Sequence, residues 1–132
     1  MYIWNPAIWV YPLTDDVTYD IYSAERTSND MRDAFQTQVS DYNLLNYAGG
    51  AACFNRVNNL DNSLETLRAQ AGSVGPDTMG SLVSDVVSKA LKLQRSFDRH
   101  PYLQDLVPDY WLSLRGDIRA LGAYYNVDTG AL

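Results

Sequence analysis

His100 is the single imidazole of the chain and Cys53 the single thiol. Nucleophilic attack or metal ligation would have to start from these two groups and the carboxylates. A haem reading pairs His100 with Met31 or Met79, since b-type haem bundles use such axial pairs. His100, however, directly precedes Pro101, where an imidazole at a helix end interacts with the terminal carbonyls. Met31 and Met79 recur at apolar helical spacing, where methionine fills core space. Covalent haem attachment lacks its Cys-x-x-Cys-His run. As a nucleophile Cys53 needs a base, and only His100 offers an imidazole. Its apolar stripe and its neighbours Gly50, Ala51 and Ala52 read instead as a small buried hydrophobe. The small run from Ala48 to Ala52 would let two helices approach closely.

Carboxylate pairs are the next option, because an acid and a base side by side can move protons. Asp15 with Asp16, and Asp30 with Asp33, have that spacing. Aspartate at a helix start is also what capping and the helix dipole prefer. An EF-hand would need an Asp-x-Asp-x-Asp-Gly run, which the chain lacks. The stretch from Gly72 to Gly75 has no lysine and lies between two helical patterns, so it is not a phosphate-binding loop. The sequence therefore assigns no catalytic residue, no cofactor and no metal.

Ten tyrosines and three tryptophans are the more distinctive resource. Both types join a large apolar body to a polar tip and are common at interfaces. Tyr2, Trp4, Trp9 and Tyr11 fall within the first 13 residues, beside Pro6 and Pro12. The prolines forbid a continuous helix and push their predecessors to extended geometry. An extended aromatic arm is expected over residues 1–13, and its four aromatics are the candidate partner-binding residues. The arm would pack on the chain's own helices, on another copy or on a partner.

The elements that would carry these groups are helical. Thr14 or Asp15 can cap a first helix. Its stripe runs Val17, Ile21, Ala24, Ser28, Met31, Phe35, Tyr42 and Leu45, at spacings of three and four. Ser28 or Asn29 could restart it at a kink. Gly49 and Gly50 form a stop signal. A second stripe is Cys53, Val57, Leu60, Leu64, Leu67 and Ala71. Asp77 or Thr78 would cap a third helix with Met79, Leu82, Val83, Val86, Ala90, Leu93 and Phe97. Pro101 ends it, and residues 102–107 form a connector with at most one helical turn. Pro108 opens a fourth helix with Trp111, Leu114, Ile118, Leu121 and Tyr125. The fold expected is all-α: an antiparallel up-down four-helix bundle, with helices at about 15–47, 50–71, 77–99 and 108–126 and a frayed tail at 128–132.

A chain of 132 residues fits one such domain without staples. Net charge is -6, from 14 Asp and 2 Glu against 8 Arg and 2 Lys, so nucleic acid is not an expected partner. The same acidity disfavours anionic membrane surfaces, and no apolar run is long enough to span a bilayer. The first 13 residues lack the basic region of a signal peptide. Expected localisation is periplasmic or secreted if the chain is a mature form, and otherwise cytoplasmic.

The stretch from Trp111 to Val127 carries a Trp, an Arg-x-Asp pair (Arg115, Asp117), Leu121 and Tyr125. It resembles the last helix of small exported bacterial helical-bundle proteins, and Phe54 to Leu67 is similar to one of their inner helices. Together these cover roughly a quarter of the chain, and the aromatic arm departs from the pattern. The resemblance implies a helical bundle and export, and carries over no catalytic residue. The function expected is a non-enzymatic binding or structural protein acting through its surface and arm, towards a protein partner or another copy. The alternative is a bundle holding a small apolar ligand or cofactor between its helices.

Overall fold

The computed structural model describes residues 13–47 and 49–132. Except for Leu13, the expected arm, with Tyr2, Trp4, Trp9 and Tyr11, lies outside the described residues. The described chain is all-helical, with four long helices and one short one. They are α1 (Asp15–Asp41), α2 (Gly50–Gln70), α3 (Pro76–Arg99), the short α4 (Pro101–Gln104) and α5 (Pro108–Tyr124). A 3-10 turn, Leu44–Asn46, separates α1 from α2. No helix among the described residues is long and apolar enough to cross a membrane.

Each long helix turns one apolar stripe inward, and the stripes meet in one core. Met31 and Phe35 come from α1, Leu60 and Leu64 from α2, Leu93 and Phe97 from α3, and Trp111 and Ile118 from α5; all are essentially buried. α1 packs on α2 and on α5, α2 packs on α3, and α3 meets α5 less extensively.

Five local expectations need correction. α1 runs unbroken through residues 26–30, because Ser28 turns inward and donates to Asp61 at 2.9 Å instead of capping a new segment. It ends at Asp41, so its apolar stripe closes with Val39, while Tyr42 (64%) and Leu45 (45%) are exposed. Asn43 then takes a left-handed φ of 54°, which Asn tolerates better than most residues. α3 starts at Pro76 behind a Gly75 cap, which leaves Asp77 in the first turn to favour the dipole. In the small run beside Cys53, Ala51 and Ala52 are exposed, and the close approach is made by Gly49, against His100, and by Gly50, against the Leu44 carbonyl. The expected frayed tail is folded back: Leu132 is buried, and Leu132 N donates to Thr129 O at 3.1 Å. Gly122 permits this, because a Cβ there would sit 2.5 Å from Thr129 Cγ2.

Candidate interaction surface

Helix geometry separates His100 from Met79. Met79 lies in the first turn of α3 and His100 at its C-cap, 21 residues along one axis or about 30 Å. Met31 and Met79 are both core residues. The half-buried His100 ring lies edge-on to Tyr102 at 6.1 Å and fills the space a side chain at Gly49 would need. Burial pushes the Cys53 thiol up to about 12, against a small opposing pull from Arg56, so it stays protonated at neutral pH. Asp15 and Asp16 occupy the first turn of α1 behind Thr14, whose Oγ1 accepts from Val17 N at 3.3 Å. Asp33 pairs with Arg32 at 3.3 Å, and Asp30 and Asp33 line a shallow cleft with Tyr110. Among the described residues, no three His, Cys, Asp or Glu side chains converge to hold a metal ion.

Tyrosine marks the surface instead. Seven of the eight described tyrosines are exposed, and only Tyr125 is half-buried. Tyr19 and Tyr22 stand on the outer face of α1, 71% and 53% exposed. They line a cleft of about 420 Å3 with Thr18, Ser23, Arg26 and Thr27. A second cleft of about 290 Å3 opens beside it between α1 and the end of α2, lined by Leu13, Ile21, Arg68 and Ala71. Thr18 and Tyr22 belong to both clefts.

Tyr22 is held from beneath. The Arg68 guanidinium lies 3.9 Å from its ring centroid. Arg68 Nη1 in turn donates to both Glu25 oxygens, at 2.9 and 3.1 Å. Glu25 is itself nearly buried, so the chain of contacts ends on a fixed carboxylate. An exposed cation–π contact is worth about 0.5–1 kcal/mol. That magnitude is too small to explain the fold, but it pre-orders an exposed ring and guanidinium.

Two helical turns further along, α1 and α2 share a buried carboxylate. Asp61 is fully buried. It accepts from Ser28 Oγ at 2.9 Å and from Arg32 Nη1 at 2.6 Å. With its amide nitrogen facing the carboxylate, Asn29 donates to it at 2.7 Å. Burial raises the Asp61 carboxyl above its usual range; the Ser28 bond and the Arg32 charge pull it down, while Glu65 and Glu25 push it up. On α5, burial likewise raises Asp117, which accepts from Ser23 at 2.8 Å.

Sequence reasoning passed over Tyr22, Glu25, Arg68 and Asp61. A usable signal existed for Asp61: it lies four residues after Val57 and three before Leu64, inside an apolar stripe. Ser28 held the corresponding place on α1. A polar residue at a core position demands a polar partner across the interface.

No protein-family model, curated protein or solved structure matches the chain.

Proposed function

We propose that this is a non-enzymatic binding protein that engages a polypeptide through the tyrosine face of α1 and its N-terminal aromatic residues Tyr2, Trp4, Trp9 and Tyr11. The reading rests above all on Tyr22: an exposed ring backed by Arg68 and Glu25 at the junction of two clefts. Polypeptide interfaces favour such a site, because aromatic and arginine side chains anchor them with little entropy left to lose. The partner is another protein or a second copy of the chain. Net charge of -6 argues against nucleic acid and anionic lipid.

The scaffold fits an antiparallel up-down four-helix bundle. Glu25 meets Arg68 while Arg32 meets Asp61, and Arg56 meets Ser96 while Ser63 meets Asp85. Each pairing steps forward on one helix and backward on its neighbour, as antiparallel helices do. The resemblance to small exported bundle proteins supports export of such a module.

Native mass spectrometry of the chain purified without denaturation separates this reading from a ligand carrier. The expected result is 14.8 kDa per chain, with any additional mass accounted for by polypeptide. A small organic molecule or haem retained by the chain would overturn it.

A further inference from the structure

Exposed aromatic side chains gather at a second place, around the C-termini of α1 and α3. Tyr42 caps α1, and its N–H donates to Gln38 O at 3.0 Å. Gln38 lines a cleft with Tyr110 of α5. The 3-10 turn after Tyr42 packs on both α1 and α2 and carries Leu45. Tyr47 caps that turn. Two residues on, Gly49 lies against the His100 ring, which meets Tyr102 edge-on at 6.1 Å. Tyr42, Leu45, Tyr47, Tyr102 and Tyr110 are each between 40% and 64% exposed. Asp41 lies about 42 Å along α1 from Leu13, so this surface is separate from the Tyr22 clefts.

Its charge is predominantly negative. Residues 41–50 and 98–110 hold Asp41, Asp98, Asp105 and Asp109 against a single arginine, Arg99, and no lysine. Asp41 adjoins Tyr42, and Asp105 follows Tyr102 by one turn of the short α4. Among the described residues, the carboxylates of Asp41 and Asp105 have no hydrogen-bond or ion-pair partner.

We propose that this surface docks a basic polypeptide segment, whose arginine or lysine side chains lie over Tyr42 and Tyr47 and pair with Asp41 and Asp105. The inference goes beyond the Tyr22 reading and does not depend on it. Charge selects the occupant. A cation over a tyrosine face is attracted by the ring, and the neighbouring carboxylate attracts the same group. Area argues against a second copy. The five side chains expose on the order of 450 Å2, short of the roughly 800 Å2 per partner of a standard interface. Two copies would also set the four aspartates of one against those of the other, and such like-charge juxtaposition is costly. A linear basic segment needs less surface and supplies the missing cations.

The test titrates the full chain, labelled with 15N, with a short peptide alternating arginine and glycine. Amide shifts should centre on residues 41–50 and 98–110, and the same peptide built with glutamate should produce none. Tyr42→Ala and Tyr47→Ala should each weaken peptide binding about twofold to fivefold, as loss of one exposed cation–π contact does. Asp41→Asn combined with Asp105→Asn should weaken it about fivefold. Asp77→Asn removes a like charge about 33 Å from Arg99 along α3, beyond the screening length at ordinary salt, and should leave affinity unchanged. These positions are exposed, and circular dichroism checks that each variant keeps its helices. Shifts centred elsewhere, or no shift, overturn the proposal. So does an equal loss with Asp77→Asn, or full affinity in both tyrosine variants, since either would reduce binding to diffuse charge attraction. Shifts of the same amides on dilution without peptide would place a second copy there and also overturn it.

Discussion

Replacing Asp61 with alanine should destabilise the protein by about 2–4 kcal/mol. The variant strands three donors at once. Ser28 is fully buried and loses its acceptor, at a cost of about 1–3 kcal/mol, the low end applying because its hydroxyl can turn to a carbonyl of the preceding turn. Asn29 loses a 2.7 Å bond from a half-buried amide. Arg32 loses its closest carboxylate but keeps Asp33 at 3.3 Å and remains one-third exposed, so water relieves most of its charge. Breaking a fully buried ion pair costs about 3–5 kcal/mol, and this partial exposure holds the estimate below the top of that range. Against a typical domain stability of about 5–15 kcal/mol the loss is large. Urea denaturation followed by circular dichroism reads it directly. A change below about 0.5 kcal/mol, the range of ordinary surface substitutions, would refute a buried Asp61. The pH dependence supplies a sign. Because burial raises the folded-state pKa above the unfolded value of about 3.9, the stability linked to this group is complete below pH ~4. It is lost as pH rises through the folded value. Stability of the parent relative to Asp61→Asn should therefore fall as pH increases from 4. A rise over the same interval would mean that Arg32 and Ser28 outweigh burial.

Trp111→Ala should cost about 3–5 kcal/mol, since the ring is fully buried, meets Phe97 edge-on at 5.4 Å and donates to Gln94 at 2.8 Å; a denaturation midpoint unchanged from the parent would place it at the surface. Cys53, held near pKa 12 by burial, should resist a thiol reagent at pH 8 until urea unfolds the chain; rapid labelling of folded protein would contradict its burial. Gly49→Ala should lose about 2 kcal/mol or more, because φ is +81° and the new Cβ overlaps the His100 ring. His100→Ala should recover part of that loss, and a strictly additive double variant would rule out the contact.

The helical stripes were legible because burial imposes a period near 3.6, so Val57, Leu60, Leu64 and Leu67 align whatever surrounds them. The end of α1 was not. Tyr42 and Leu45 continue the period numerically, and only the left-handed Asn43 shows that the chain has already turned away. Ser28 looked like a cap because Ser commonly is one. Its true role depends on Asp61, 33 residues distant, and a one-dimensional pattern does not encode that pairing. The same holds for the Tyr22 platform. Tyr22, Glu25 and Arg68 are unremarkable along the chain and acquire meaning only when α2 packs on α1. The aromatic richness of residues 1–13 was visible at once, whereas the clefts around Tyr22 needed the third dimension.

The claim that polypeptide is bound at the Tyr22 groove is tested most directly by crosslinking from that position. p-Benzoylphenylalanine replaces Tyr22 in the full chain, and Leu82 on the α2–α3 cleft serves as the comparison site. After irradiation, adducts are mapped by peptide mass spectrometry. The account predicts peptide adducts at position 22, to another protein or to a second copy of the chain, and none at position 82. Equal adducts at both positions, or none at position 22, would contradict it.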